Sequence, residues 1–328
     1  MTIKEVANLA GVSTAAVSRY INGGSLSENK KEKIRAVIEE TGYRPNMTAQ
    51  SMRTGRGGQI GVIVPKINSD SVSQIVEGVT EYLQGRDHLT ILGSTESQRD
   101  KEIRYLDLMQ NSQVVGIILM GTVMTPMMAD AIRAGSKPVV ITGQKFTGFP
   151  CVYHDDYHAM KDLMQLMIQR GRKKVAYLGV TEEDLAAGLA RREGAAKAWE
   201  EAGYPAENMP RAVSAFEARD AYLKMKGVLA DHPDLDGVLC ATDKIALGAM
   251  RAVKEAGKSV PKDVSVAGVG DSWAGSIFDP PLTTVHLYYR ECGIIAADML
   301  LQRIAAGEDA GPIRQVRLEY TIMDRGSV

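Results

Sequence analysis

Thr2-Ile-Lys-Glu-Val-Ala-Asn-Leu-Ala-Gly-Val-Ser-Thr-Ala-Ala-Val-Ser-Arg-Tyr-Ile-Asn22 reads as two short helices joined at a glycine. Thr2 is placed to cap a first helix whose apolar positions Val6, Leu9 and Ala10 recur at helical spacing, and Gly11 supplies the turn residue that ends it. Ser13 caps a second helix with Val17 and Ile21 as its buried stripe. Thr14, Ala15, Ser18 and Arg19 are then left on the outer face. Small and hydroxylated side chains let a helix approach base edges closely, and an arginine can grip a guanine edge or hold a phosphate. The pair therefore reads as a helix-turn-helix with a DNA-facing second helix. A third helix is expected from the capping-box-like Ser27-Glu28-Asn29-Lys30 through Ile34, Val37 and Ile38 to Gly42, closing a three-helix core. A generic helical bundle is the alternative reading.

The charge distribution agrees with a DNA-binding end. Residues 1–57 carry nine Lys and Arg against five Asp and Glu, whereas the remainder carries thirty against thirty-five. A basic end on an acidic body is expected where only that end meets phosphate.

At 328 residues the chain exceeds one small core, and 45% apolar with 24% charged residues describes an ordinary globular composition. No apolar run approaches a membrane span and no signal-peptide pattern opens the chain, so a cytoplasmic location is expected. Cys151, Cys240 and Cys292 are widely spaced in apolar or strand-like contexts and read as reduced thiols, not disulfides or metal ligands.

Between Pro45 and Gly58, Asn46 could cap a short helix through Arg53 before Thr54-Gly-Arg-Gly-Gly58 breaks it. Two helical turns are marginal alone, so this linker should form only against a symmetry mate and DNA. From Ile60 onward strand and helix alternate: 60–65, 89–92, 116–120, 139–141, 175–179, 237–240 and 264–267 are short apolar runs, as buried parallel strands should be. The fold class is α/β, a headpiece followed by two doubly wound parallel lobes. The domains are expected at 1–45 (headpiece), 46–58 (linker) and 59–328 (core). Lobe 1 takes about 59–157 and 288–311, and lobe 2 about 158–287 and 312–328, with a final strand near 316–323. Clefts in such sheets lie beyond the strand carboxyl ends, which makes the loops there candidates for a ligand site.

Several landmarks occur together: the opening stretch, Tyr43-Arg-Pro-Asn46, Gly61-Val-Ile-Val-Pro65, Ala241-Thr-Asp-Lys-Ile-Ala-Leu-Gly248 and Pro281-Leu-Thr-Thr284. In order and spacing, end to end, the chain resembles the lac repressor family of bacterial sugar-responsive regulators. Val-Tyr-His-Asp-Asp156, Ala-Ala-Gly-Leu-Ala-Arg-Arg192, Leu-Cys-Ala-Thr-Asp243 and Val-Gly-Asp-Ser272 look most like its trehalose and sucrose repressor branch. The resemblance implies a periplasmic-binding-protein-like core, a homodimer on double-stranded operator DNA, and allosteric control by a disaccharide or its 6-phosphate. It also implies a linker that serves as a hinge helix, with Met52 as an apolar wedge in the minor groove; Met52 covering the body is the other reading. The expected DNA contacts are Thr2, Ser13, Thr14, Ala15, Ser18, Arg19, Asn22, Tyr43, Asn46, Ala49, Met52 and Arg53.

The expected effector contacts are Lys66, Asn68, Ser69, Ser71, Gln144, Lys145, Arg191, Thr242, Asp271 and Trp273. The first loop departs from the family, which usually has an acid and an Asn-Pro-Phe-Phe there. Lys66 with Asn68, Ser69 and Ser71 at a helix start suits an anionic group such as a sugar phosphate, or else forms a solvated lysine and a cap. Gln144 and Lys145 follow the fourth strand, and Arg191 stands three residues before Gly194, where the family's arginine reaches sugar hydroxyls. Asp155 or Asp156 suits an N-cap, and Asp243 could equally cap a helix. Gly270 replaces the first of two acids common in sugar-binding relatives, while Trp273 could stack on a sugar face or pack the lobes.

Enzyme readings lack support: there is no phosphate-binding Gly-x-x-x-x-Gly-Lys-Ser/Thr loop, no His-Glu-x-x-His and no Gly-x-Ser-x-Gly. No cofactor or metal is expected. The rival reading is a sugar-binding receptor without gene control, against which the basic headpiece counts.

Overall fold

The structure is a computed structural model that describes residues 1–21, 23–43, 57–309 and 311–328. Asn22, Asn46, Ala49, Met52 and Arg53, and with them most of the expected hinge, lie outside the described residues. The chain divides into two units, Met1–Gly58 and Gln59–Val328.

In the first unit, α1 (Ile3–Leu9) opens on a reciprocal cap: Glu5 N–H donates to Thr2 Oγ1, and Thr2 N–H donates to Glu5 Oε2 at 2.7 Å. Gly11 takes φ +63°, a left-handed conformation that a side chain resists, and turns the chain into α2 (Thr14–Ile21). Ala16 N–H donates to Ser13 Oγ at 3.2 Å, fixing the start of α2. α3 (Glu28–Thr41) ends at Gly42, again left-handed. Val6, Ala7, Ala10, Ala16, Val17 and Ile34 form the buried centre. Two expectations are corrected here. Leu9 is 61% exposed, because the 3.6-residue period carries it past the buried stripe. Ser27 sits at the N-cap of α3 without a side-chain cap bond; the Lys30 N–H donates to the Ser27 carbonyl oxygen at 3.0 Å, and the Lys30 side chain offers no acceptor for the reciprocal bond of a capping box.

The second unit is built on two six-stranded sheets. The first runs β2 (His88–Ser94), β1 (Gly58–Val64), β3 (Val114–Leu119), β4 (Val139–Thr142), β5 (Cys151–His154) and β11 (Gln315–Leu318). The second runs β7 (Arg211–Val213), β6 (Val175–Gly179), β8 (Gly237–Cys240), β9 (Ser265–Val269), β10 (Thr283–Leu287) and β12 (Tyr320–Met323). The helices between strands are α4 (Asp70–Gln84), α5 (Arg99–Gln110), α6 (Pro126–Ala134), α7 (Asp156–Gln169), α8 (Arg191–Glu201), α9 (Ala218–Asp231), α10 (Asp243–Glu255), the short α11 (Trp273–Ile277) and α12 (Tyr289–Ala306). Central strands such as β3 and β8 are apolar throughout because helices cover both faces of a parallel sheet. Each fully buried Ile or Leu there, Ile118 and Leu239 among them, contributes roughly 1.5–3 kcal/mol.

The chain crosses between lobes three times, at 155, 288 and 319, and this corrects the expected boundaries. Residues 316–323 are not one strand. β11 pairs in parallel with β5, Gln315 opposite Cys151, and so belongs to lobe 1; β12 pairs antiparallel with β10, Leu287 opposite Tyr320. The second sheet is therefore mixed, not purely parallel. Glu319 is the single residue between the two strands, and β5, β7 and β10 were not anticipated as strands at all. β2 is an edge strand with Leu89 68% exposed, not a buried one. The crossings are tied to one another by the Arg317–Asp155 ion pair at 3.1 Å and the Tyr288–Thr321 hydroxyl hydrogen bond at 2.9 Å.

α12 returns to lobe 1 and lies against α4 at two facing glycines. A Cβ on Gly78 would sit 2.0 Å from the Arg290 carbonyl oxygen, and one on Gly293 would sit 2.0 Å from that of Ile75. Cys151, Cys240 and Cys292 are free and buried. No described helix is long and apolar enough to cross a membrane.

Candidate functional sites: the headpiece helix and the interlobe cleft

On the headpiece, burial of Ala16 and Val17 turns the opposite side of α2 outward. Ser13, Thr14, Ala15 and Arg19 are exposed and Ser18 is half-buried. Thr2 is exposed but engaged in its cap, and Tyr43 is half-buried against the three-helix centre. The face thus offers small side chains flanked by one guanidinium, on a helix start held by Ser13.

In the second unit, the carboxyl ends of the strands of both lobes border a cleft of about 400 Å³. Lys66, Asn68, Ser69, Ser71, Gln144, Arg191 and Thr242 line it. Lys145, Asp271 and Trp273 lie outside this lining. Lys145 is exposed, its Nζ 6.0 Å from the centre of the Tyr153 ring. Asp271, at φ +48°, is held by Arg325 and by His286 Nδ1 at 3.0 Å. Trp273 is 71% exposed at the start of α11; the rings that line the cleft include Phe216, Tyr289 and His154.

Arg191 is 5% exposed and donates from Nε to Asp156 Oδ1 at 2.7 Å and from a terminal nitrogen to the Ala241 carbonyl. Burial alone would lower the pKa of this guanidinium, but the Asp156 carboxylate and Tyr289 hydroxyl reverse the direction and hold it charged. Tyr289 is itself pushed up to about 12 by burial. Arg191 therefore spends most of its donors within the protein. Asp155 caps α7 and Thr242 caps α10, accepting from His158 and Ile245 N–H respectively. Asp243 ties α10 to the second sheet, accepting from Ser272 N–H at 2.6 Å and from the Thr284 hydroxyl, and burial raises its pKa.

Several contacts among the described residues join the lobes around the cleft. Gln144 Nε2 donates to Asp184 Oδ1 at 2.8 Å, Lys244 Nζ donates to the Asn68 carbonyl at 2.9 Å, Lys66 lies 3.6 Å from Glu217, and Arg99 pairs with Glu183. Asp184 caps a π-helical turn, Leu185–Ala190, accepting from Ala186 and Ala187 N–H, and burial pushes its carboxyl upward. Such turns recur at functional sites. Asp156, Asp184, Glu217, Lys244, Thr142, His154 and Tyr289 line the cleft without having been expected as effector contacts. Their roles depend on partners distant in sequence, and only the strand-end position of Thr142 and His154 could have pointed to them.

A periplasmic binding protein-like domain matches residues 164–328, and the model for bacterial regulatory proteins of the lacI family matches residues 2–46. The sucrose operon repressor of Staphylococcus xylosus is 32% identical over 304 residues, covering 92% of this chain and 93% of its own. The chain belongs to the lacI family of bacterial regulatory proteins. The HTH-type transcriptional regulator RegA of Clostridium saccharobutylicum is likewise 32% identical, over 99% of this chain and 98% of its own. Among solved structures, a transcriptional regulator CelR–cellobiose complex superposes with TM-score 0.76 at 26% identity, covering 100% of both chains. A lac repressor dimer bound to operator and an anti-inducer shares the fold at TM-score 0.86, with 23% identity over 100% of this chain and 98% of that one. The chain is a DNA-binding transcriptional regulator and not an enzyme.

Proposed function

We propose that this regulator is a cytoplasmic homodimer that represses a sugar-utilisation operon. In this reading its DNA affinity is set by a small sugar or sugar phosphate, such as sucrose, trehalose or a 6-phosphate, bound in the interlobe cleft. The observation that carries the effector reading is the cleft itself: polar side chains from both lobes face one volume, and the lobes are joined across it by neutral and charged hydrogen bonds. A ligand that touches both lobes favours one lobe angle over another, which is the differential binding that allosteric control requires. Among the relatives, one is named a sucrose operon repressor and one is a complex with cellobiose, which supports a saccharide. Thr14, Ala15, Ser18 and Arg19 carry base and phosphate recognition in this reading, and the expected linker contacts complete it. Exposed Trp273 and Ile277, four residues apart on α11, support a self-association surface. A mobility-shift titration of the full-length protein on its own upstream DNA tests the reading. Retarded complexes that change on addition of a saccharide are expected, whereas sequence-independent retardation untouched by any saccharide or sugar phosphate overturns it.

A further inference from the structure

Three polar side chains at the adjacent ends of β4 and β5 line the cleft and carry a buried atom with no protein hydrogen-bond partner: Thr142 Oγ1, Gln144 Oε1 and His154 Nε2. Their residues are 0%, 4% and 5% exposed. Buried polar atoms are normally satisfied, so three on residues that line one cleft mark a place where something else satisfies them. Their hydrogen-bonding character is fixed by what surrounds them. Gln144 Nε2 donates to Asp184 and, at 2.6 Å, to the Thr122 carbonyl, which orients the amide and leaves Oε1 as an acceptor. Burial lowers the His154 pKa and keeps the ring neutral; its hydrogen bond to the Tyr288 backbone is a donation from Nδ1, which leaves Nε2 with a lone pair. Thr142 can donate or accept.

The cations lining the cleft are engaged by the protein: Arg191 is paired with Asp156, Lys66 lies beside Glu217 and Lys244 Nζ donates to the Asn68 carbonyl, while Asp184 and Asp243 add further carboxylates to the lining. An anionic oxygen placed there would meet lone pairs, whereas a hydroxyl would donate to them. We propose that Thr142, Gln144 and His154 form the recognition floor of the effector site and select the hydroxyl donors of an uncharged saccharide ring, any phosphate being excluded from this end of the cleft. This rests on the reading of the cleft as a saccharide site and adds which residues read the ligand and through which kind of group. Water can satisfy the same atoms, so a ligand unable to donate loses those bonds on displacing it.

The test is calorimetry of the full-length protein with sucrose, trehalose and cellobiose, followed by fluorodeoxy derivatives of whichever binds, since C–F donates nothing. Wild-type protein is expected to bind at least one of the three and to lose about 5- to 30-fold affinity for one or more fluorodeoxy derivatives, the scale of one buried hydrogen bond. His154→Phe, which keeps a ring against Tyr289, and Thr142→Val, which keeps the side-chain shape, are each expected to lose a similar factor. The fluorodeoxy arm uses wild-type protein and stands even if a variant misfolds. Binding of a saccharide with no loss in any fluorodeoxy derivative, or with both folded variants at full affinity, overturns this inference alone. Binding of none of the three overturns this inference, and the effector reading falls with it only if the 6-phosphates of sucrose and trehalose fail to bind as well.

Discussion

Replacing Asp156 by Asn removes the charge opposite Arg191 while keeping the side-chain shape. The two side chains are 6% and 5% exposed, so the guanidinium left behind is largely desolvated and loses its paired carboxylate. Breaking one side of a buried pair costs about 3–5 kcal/mol because the surviving charge is uncompensated. That is a large part of the stability of a typical domain, about 5–15 kcal/mol. With a urea dependence of about 3 kcal/mol per molar, the midpoint should fall by roughly 1–1.7 M. Tryptophan fluorescence reads this unit selectively: the chain has two tryptophans, Trp199 and Trp273, both in the second unit, and Trp199 lies buried on the same helix as Arg191. Adding Arg191→Met to Asp156→Asn should restore part of the loss, since an apolar replacement of both partners leaves no stranded charge. A midpoint within about 0.3 M of wild type for Asp156→Asn, at matched protein concentration, would refute the assignment of a desolvated pair.

Three further outcomes are expected. Arg19→Ala should weaken operator binding by about 1–3 kcal/mol and leave saccharide binding unchanged, checked by fluorescence anisotropy and calorimetry. Glu102, 6% exposed on α5, is pushed up to about 7 by burial, against an ordinary 4.5. Below about pH 4.5 the carboxyl is protonated folded or unfolded; between there and about 7 only the unfolded chain releases the proton, so wild-type stability falls as pH rises, and above 7 the penalty is constant. Glu102→Gln should remove that fall, by up to about 3 kcal/mol at pH 8, as read from urea midpoints across the range. Ile277→Asp, on an exposed apolar surface, should shift the protein toward monomer in sedimentation velocity and lower operator affinity; an unchanged dimer would exclude that surface.

Local chemistry made much of this molecule legible in its sequence. The caps at Thr2 and Ser13 and the turn at Gly11 depend on residues within one helical turn, and they form as read. The apolar runs 175–179 and 237–240 coincide with β6 and β8 because a strand covered on both faces is apolar throughout. What the pattern missed has non-local causes. Cys-Val-Tyr-His154 and Thr-Thr-Val-His-Leu287 mix polar and apolar residues because they approach the crossings, and residues 315–323 switch sheets at a single residue that no periodicity marks. Strand-end position pointed to Lys66, Gln144 and Thr242, and the family resemblance to Arg191, all of which line the cleft, but neither gave orientation. Asp271 turns to Arg325, fifty-four residues away, and Trp273 turns outward. The carboxylate that fixes Arg191 lies thirty-five residues upstream of it, and Asp184 is joined to Gln144 across forty residues.

The central claim is that the cleft and the DNA-reading helix share one equilibrium, and a thermodynamic cycle measures it directly. The affinity for a labelled operator fragment is measured with and without saturating saccharide, and the affinity for the saccharide is measured with and without saturating operator. Linkage requires the two ratios to be equal, and typical couplings of about 1–3 kcal/mol predict a factor of roughly 5 to 150 in each. Equal ratios in that range are the expected result. Tight binding of both ligands with each ratio equal to one would show that the cleft does not control the DNA-binding helix.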